Sequence, residues 1–161
     1  MITETEAYAG TIDRASHAYG GRNTPRTEVM FRQGGISYIY LCYGMHSLFN
    51  IVTNKEGIPH AVLVRAIEPA QGVEVMEGRL GKLISGKDFV NGPGKLCKAL
   101  GIHYNQSGTD LCLSAKETLE NKIWVEERKT TRVIREIIVT ARIGVDYAAE
   151  DALLPYRFLL K

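Results

Sequence analysis

Two carboxylates and a phenol open the chain at alternating positions, in the run Glu4-Thr5-Glu6-Ala7-Tyr8, and His17 follows. In an extended segment side chains two apart share a face, so Glu4, Glu6 and Tyr8 are expected to point the same way. A carboxylate against an aromatic surface makes a usable general base, because partial burial raises its pKa towards neutrality. An exposed edge strand with two solvated acids would produce the same residues, and the motif alone does not choose.

Tyr38-Ile39-Tyr40-Leu41-Cys42-Tyr43-Gly44-Met45 crowds tyrosines onto one hairpin. Tyr38 and Tyr40 fall on one strand face, and Tyr43 falls at the tip beside Gly44. An aromatic wedge at a hairpin tip can prise base steps apart, and strand aromatics can sandwich an extruded base. A hydrophobic sheet whose tyrosines hydrogen-bond at its rim is the plainer alternative. Asn91-Gly92-Pro93-Gly94-Lys95 resembles a phosphate loop but lacks the Gly-x-x-x-x-Gly-Lys spacing, and Leu96 replaces the magnesium-binding hydroxyl. Such a turn can hold one backbone phosphate through its amides and Lys95, or simply start a helix with Pro93 at the first position. Asn50 and Arg65 are lone polar residues in apolar strands, each costing roughly 1–3 kcal/mol if buried without a partner. Pocket floor and outward surface both remain open for them.

The elements that must carry these groups can be read from periodicity. Ile36 to Tyr43 alternates as a strand, Ser47 to Thr53 reads as its hairpin partner, and Ala61 to Ile67 is an apolar third strand. Pro69 to about Leu83 reads as a helix, with Val73, Met76 and Leu80 at helical spacing. A loop over 91–96 enters a short helix ending near Leu100, and Asn105 to Gly108 is turn-like. Ile123 to Glu126, Arg132 to Thr140 and Tyr156 to Leu160 read as later strands. The expected fold is mixed α/β (α+β): a single domain with a curved, mainly antiparallel β-sheet and a protruding β-hairpin.

Composition bounds the reading without deciding it. The chain has 161 residues, 45% hydrophobic and 24% charged, an ordinary globular composition for one domain. The net charge of +2 is too small to announce nucleic acid. Its distribution is less even: Arg79, Lys82, Lys87, Lys95 and Lys98 face only Asp88, and Arg14, Arg22, Arg26 and Arg32 form a second basic group. Solvated faces would explain both. Cys42, Cys97 and Cys112 form no close pair and read as reduced thiols, with no zinc spacing and none of the signatures of a zinc deaminase. The longest apolar runs are too short to cross a bilayer, and the start lacks the form of a secretory signal, so a non-secreted protein without membrane association is expected.

Taken in order, these segments resemble the alkyladenine, or 3-methyladenine, DNA glycosylase family. The matching text is Glu4-Thr5-Glu6-Ala7-Tyr8, His17, Gly20-Gly21-Arg22-Asn23-Thr24-Pro25-Arg26, Met30-Phe31, Tyr38-Ile39-Tyr40 and Tyr43-Gly44-Met45. It continues through Asn50-Ile51, Leu63-Val64-Arg65-Ala66-Ile67-Glu68-Pro69, Gly92-Pro93-Gly94-Lys95-Leu96-Cys97, Arg142-Ile143-Gly144-Val145 and Pro155-Tyr156-Arg157-Phe158. Each motif is weak alone; the ordered set is specific.

The resemblance implies a base-excision-repair enzyme that flips alkylated or deaminated purines from duplex DNA and hydrolyses the N-glycosidic bond. By the same resemblance Glu6 is the general base and Arg65 helps hold the catalytic site. Tyr8 and His17 stack on one side of the flipped base and Tyr40 on the other, and Asn50 crowds the 2-amino group of normal guanine. Tyr43 fills the space the base vacates, while Arg22, Thr24, Met30, Gly94 and Lys95 lie near the DNA backbone. Neither cofactor nor metal is expected, nor a lysine nucleophile, so the enzyme would be monofunctional. The expected partner is double-stranded DNA carrying damaged purines, bound by a monomer, in a bacterial cytoplasm at the nucleoid or in a eukaryotic nucleus. Family members usually carry a further N-terminal stretch, so residues 1–161 are expected to form a single glycosylase domain lacking part of that region. The alternative is a truncated, non-catalytic DNA-binding module of the same fold, which would leave Glu6, His17, Tyr40 and Arg65 without a purpose.

Overall fold

The computed structural model describes residues 1–84, 90–112, 123–127 and 136–161. Its centre is an open antiparallel sheet of β1 (Ile2–Tyr8), β2 (Ser37–Cys42), β3 (His46–Val52), β4 (Ala61–Ile67), β5 (Val90–Asn91), β6 (Ile137–Thr140) and β7 (Arg157–Leu160). The strand order is β2-β3-β4-β1-β7-β6, with the short β5 on β4 beyond the end of its pairing with β3. The N-terminal strand β1 therefore lies inside the sheet. Glu6 pairs with Leu63 of β4 on one side and Arg157 of β7 on the other. A residue so near a chain end would fray if one edge were open; two ladders pin it. Register shifts between Ile2 and Thr5 bulge the strand just before Glu6.

Pleating sorts the side chains onto two faces. Ile39, Phe49 and Val64 turn one way and pack with Leu96, Cys97 and Ala99 of helix α2 (Pro93–Leu100). Met76 and Leu80 of helix α1 (Val73–Leu80) join the edge of that core. Tyr38, Tyr40, Asn50, Leu63 and Arg65 turn the other way, with Glu6 and Tyr8, and line a cleft instead. A long connection after β1, built on 3-10 turns at Gly10–Ile12, Tyr19–Gly21 and Glu28–Phe31, wraps this second face and buries Ala18, Val29 and Met30 against Tyr38.

The α+β architecture, the antiparallel sheet and the projecting hairpin agree with expectation. Element ends differ in three places. The first helix is Val73–Leu80 rather than 69–83, because Gly72 and Gly81 flank it in left-handed backbone at φ 69° and 72°. Residues 123–126 form no strand: among the described residues their backbone makes one bond, from the Val125 amide to the Leu111 carbonyl, and a lone bond is not a ladder. Of the strand expected over 132–140, β6 covers Ile137–Thr140, and 132–135 lie outside the described residues. Lys87 and Asp88 of the basic run also lie outside them.

Candidate active site

A cleft of about 400 Å³ opens on the wrapped face of the sheet, and Glu6 forms part of its wall. The side chain is 0% exposed to solvent, so its charge needs internal partners. Oε1 accepts the Ile143 amide at 2.8 Å and stands 3.2 Å from Arg65 Nη1; Oε2 accepts the Tyr8 hydroxyl at 2.9 Å. An ionised carboxylate offers roughly four acceptor positions, so about one is left beyond these three contacts. Glu4 lies outside the cleft lining. It is buried behind Arg65, and its Oε1 accepts Arg65 Nε at 2.8 Å and Arg157 Nε at 2.7 Å. The two acids of the opening motif thus divide: Glu4 orients Arg65, and Glu6 faces the space where chemistry can occur.

The Tyr8 wall is fixed from behind. Arg142 lies 4.8 Å from the Tyr8 ring and 5.2 Å from the Tyr156 ring. Its guanidinium forks onto Asp13 at 2.5 and 2.9 Å and also donates to the Ala7 and Asp151 carbonyls. Burial opposes the Arg142 cation, but bonding to Asp13 and its charge outweigh that and hold the guanidinium above its ordinary pKa. Burial likewise opposes the Asp13 anion, and Arg142 with the Ala9 and Ala15 amides pulls the carboxyl below its ordinary value. Burial, then the charge of Glu6, pushes the Tyr8 phenol far above its usual range, so Tyr8 stays a hydrogen-bond donor to Glu6.

The facing wall is aromatic. His17 sits edge-on to Tyr40 with centroids 4.5 Å apart, and Tyr38 lies 5.5 Å from Tyr40. His17 lies in the wrapping connection that packs over β2, so its ring meets the β2 tyrosines. The Arg26 guanidinium can only donate, so its 3.3 Å contact makes His17 Nε2 an acceptor. Nδ1 then carries the proton and donates to the Tyr38 hydroxyl at 2.8 Å. Burial, followed by the charges of Arg26 and Arg22, pushes His17 down to about 4, leaving a neutral ring at physiological pH. Burial also raises the Tyr40 phenol well above its ordinary value.

Asn50 is 4% exposed on the cleft floor, its amide donating to the Tyr38 and Leu48 carbonyls at 3.1 and 3.4 Å. Tyr43 stands at the cleft mouth, 89% exposed, on the turn closed by the Met45 amide and Cys42 carbonyl. Tyr43 and Gly44 take φ of 51° and 68°, the paired positive values a type I′ hairpin turn requires.

The structure thus brings Glu6, Arg65, Tyr8, His17, Tyr40, Asn50 and Tyr43 to one cleft. Met30 also lines it, 2% exposed and packed with Tyr38. Arg22 and Thr24 are exposed on the wrapping connection, outside the cleft lining. Gly94 and exposed Lys95 sit in the first turn of α2. There a Cβ on Gly94 would meet the His46 Cβ at 3.2 Å, so glycine permits the helix to approach the turn end of the hairpin. Sequence reasoning missed Asp13, and Tyr147, which also lines the cleft; Arg26 and Arg142 entered only through matching runs and, for Arg26, a basic group. Asp13 and Arg142 are 129 positions apart, and no local pattern announces such a pair. Among the described residues no group of three His, Cys, Asp or Glu side chains could hold a metal ion.

Comparison with known proteins gives a consistent result. The sequence pattern of the family described as methylpurine-DNA glycosylase matches residues 1–161. The chain is 44% identical over 167 residues to the "Putative 3-methyladenine DNA glycosylase" of Desulfitobacterium hafniense, covering 99% of this chain and 78% of that protein. It is 45% identical to the protein of the same name from Chlamydia felis, over 99% of this chain and 78% of the relative. The identically named protein of Methanocella arvoryzae is also 45% identical, over 98% and 74%. An open antiparallel sheet with a buried acid beside a cleft of aromatic rings, and a family pattern running the length of the chain, lead to one assignment: this chain belongs to the methylpurine-DNA glycosylase family, DNA-repair hydrolases that process alkylated bases.

Proposed function

We propose that Glu6 activates a water molecule for attack on the sugar of a damaged purine nucleotide turned out of duplex DNA into the cleft. In this reaction water adds its oxygen to C1′, the bond from C1′ to the purine nitrogen breaks, and the base leaves with its electron pair and a proton. The products are a free purine and an abasic deoxyribose. The bond breaks through an oxocarbenium-like sugar, as in other glycoside hydrolysis. A neighbouring carboxylate stabilises that positive charge and accepts the water's proton. The observation that carries the reading is the state of Glu6: buried, held by Arg65, Tyr8 and the Ile143 amide, yet part of the cleft wall with acceptor capacity to spare.

The remaining residues fit the same reading. Tyr8 and Tyr40 offer ring faces to the base, and cationic alkylated purines gain roughly 0.5–2 kcal/mol from such faces. These lesions are also good leaving groups, and damaged bases pair poorly, so turning them out costs less. Asn50 crowds the 2-amino group of normal guanine. Tyr43 enters the duplex in place of the departed base, with Arg22, Thr24 and Lys95 along the backbone. The protein acts as a monomer and leaves the sugar uncut.

The test uses duplexes carrying a single hypoxanthine, incubated with and without the protein, beside an undamaged control. Alkali-dependent strand breaks at the lesion alone are expected. Breaks without alkali would contradict the monofunctional chemistry, and tight binding without base release would favour a binding module.

A further inference from the structure

Arg26 is a further residue of the cleft, and its position is odd for a surface cation. The residue is exposed, as expected for the wrapping connection, yet its guanidinium turns inwards. Its Cζ stands 5.0 Å over the Tyr40 ring, and Nη2 donates to His17 Nε2 at 3.3 Å. The other neighbours of Tyr40 are committed to the fold. Tyr38 is 2% exposed and anchored on the same strand, and His17 meets the ring edge-on. Of the three, only Arg26 has an exposed chain able to swing clear. A guanidinium is planar, cationic and weakly hydrated, so it stacks on an aromatic face much as a purine does. The two cannot share one face.

We propose that Arg26 holds the base-stacking face of Tyr40 until a purine displaces it, and that the freed guanidinium then grips a backbone phosphate of the same strand. This rests on the reading of the cleft as a base pocket. Three features support it. Arg26 stacks on Tyr40, bonds His17 at a long 3.3 Å and bonds the Tyr38 side chain, with no carboxylate partner among these, a set modest enough to exchange. Arg22 and Thr24 stand a few residues away on the same exposed connection, so a phosphate held there is within reach of the released chain. Displacement also removes a positive neighbour from His17, whose depressed pKa is due first to burial and next to Arg26. Arg26 would thereby couple occupation of the pocket to grip on the strand, and a base too well stacked in its duplex would not evict it.

Two measurements with Arg26→Ala test this. First, binding of free 1,N6-ethenoadenine is followed by its fluorescence, with no DNA present. Removal of the competitor should tighten binding about two- to fivefold, the change corresponding to an exposed cation–π contact of about 0.5–1 kcal/mol. Unchanged or weaker binding, or none to either protein, overturns the proposal. Secondly, duplex binding is measured against salt with Glu6→Gln in both proteins to prevent turnover. The slope of log K against log salt should become shallower by about one on lesion duplex and stay the same on undamaged duplex, where Arg26 remains on Tyr40. An equal drop on both duplexes makes Arg26 a plain phosphate contact and overturns the exchange, as does no drop on either. If neither protein distinguishes lesion from undamaged duplex, the glycosylase reading itself fails, and the free-base measurement still decides whether Arg26 competes for Tyr40.

Discussion

Glu6 and Tyr43 belong to the same cleft and sit in opposite physical regimes. Glu6 is 0% exposed, central in the sheet, with partners on both carboxylate oxygens. Tyr43 is 89% exposed, at the end of a hairpin, in left-handed backbone that a non-glycine residue adopts at a cost of about 1–2 kcal/mol. Around Glu6 two strand ladders fix the geometry. At Tyr43 the fold tolerates strain and exposure together, a combination that stability alone gives no reason to keep. An acid that must meet one atom of a sugar benefits from rigidity. A ring that must enter a stack of bases has to project, and its contacts form only with the partner.

Breaking the rigid region should therefore harm stability, and relaxing the strained one should not. The largest effect is expected at the support behind Tyr8. Asp13→Asn leaves Arg142 as a buried, uncompensated cation, a loss of about 3–5 kcal/mol. Thermal unfolding should fall by roughly 6–20 °C for a domain of this size, with base release falling too as Tyr8 and Glu6 lose their backing. A variant that unfolds at the wild-type temperature would show that this pair does not hold the wall. The converse case is Tyr43→Gly. Relief of the positive φ should raise stability by about 0.5–1 kcal/mol, read by urea unfolding. Activity on lesion duplex should drop at least about tenfold, through weaker insertion rather than slower chemistry. Full duplex activity in that variant would remove the wedge from the account.

A smaller effect separates His17 from the exposed rim. Its pKa falls from 6.5 to about 4 in the folded protein, so the unfolded chain binds the proton first as pH drops. The stability this provides is complete above about 6.5 and is lost as pH falls towards 4. Replacement of His17 by Gln should flatten the stability profile over that window and leave it unaltered above pH 7. An identical acid slope in the variant would assign the loss to other groups.

Legibility divided along similar lines. Strand β2 was readable from the alternation the pleat imposes, β3 as its partner across a short turn, and β4 as an apolar run of strand length. The same alternation put Glu4, Glu6 and Tyr8 on one face. It could not say which acid would be taken up by arginines, since Arg65 and Arg157 arrive from distant strands. The ordered family resemblance named Glu6, Arg65, Tyr40 and Asn50. The meeting of His17 with the β2 tyrosines was not legible, because residues 9–36 fold as 3-10 turns and irregular chain without a period to follow. The strand expected over 123–126 shows the limit of local propensity: apolar and aromatic residues there gained a single bond to Leu111 instead of a ladder. Asp13 with Arg142, and Arg26 over Tyr40, are tertiary events with no local signature at all.

The most direct test of the central claim compares wild type with Glu6→Gln on one lesion duplex, measuring single-turnover base release and equilibrium binding side by side. Gln preserves the shape and most hydrogen bonds but accepts no proton. Release should slow by about 10²–10⁴-fold while lesion binding stays within about threefold. Release within tenfold of wild type would contradict the account, because the water would then be activated elsewhere.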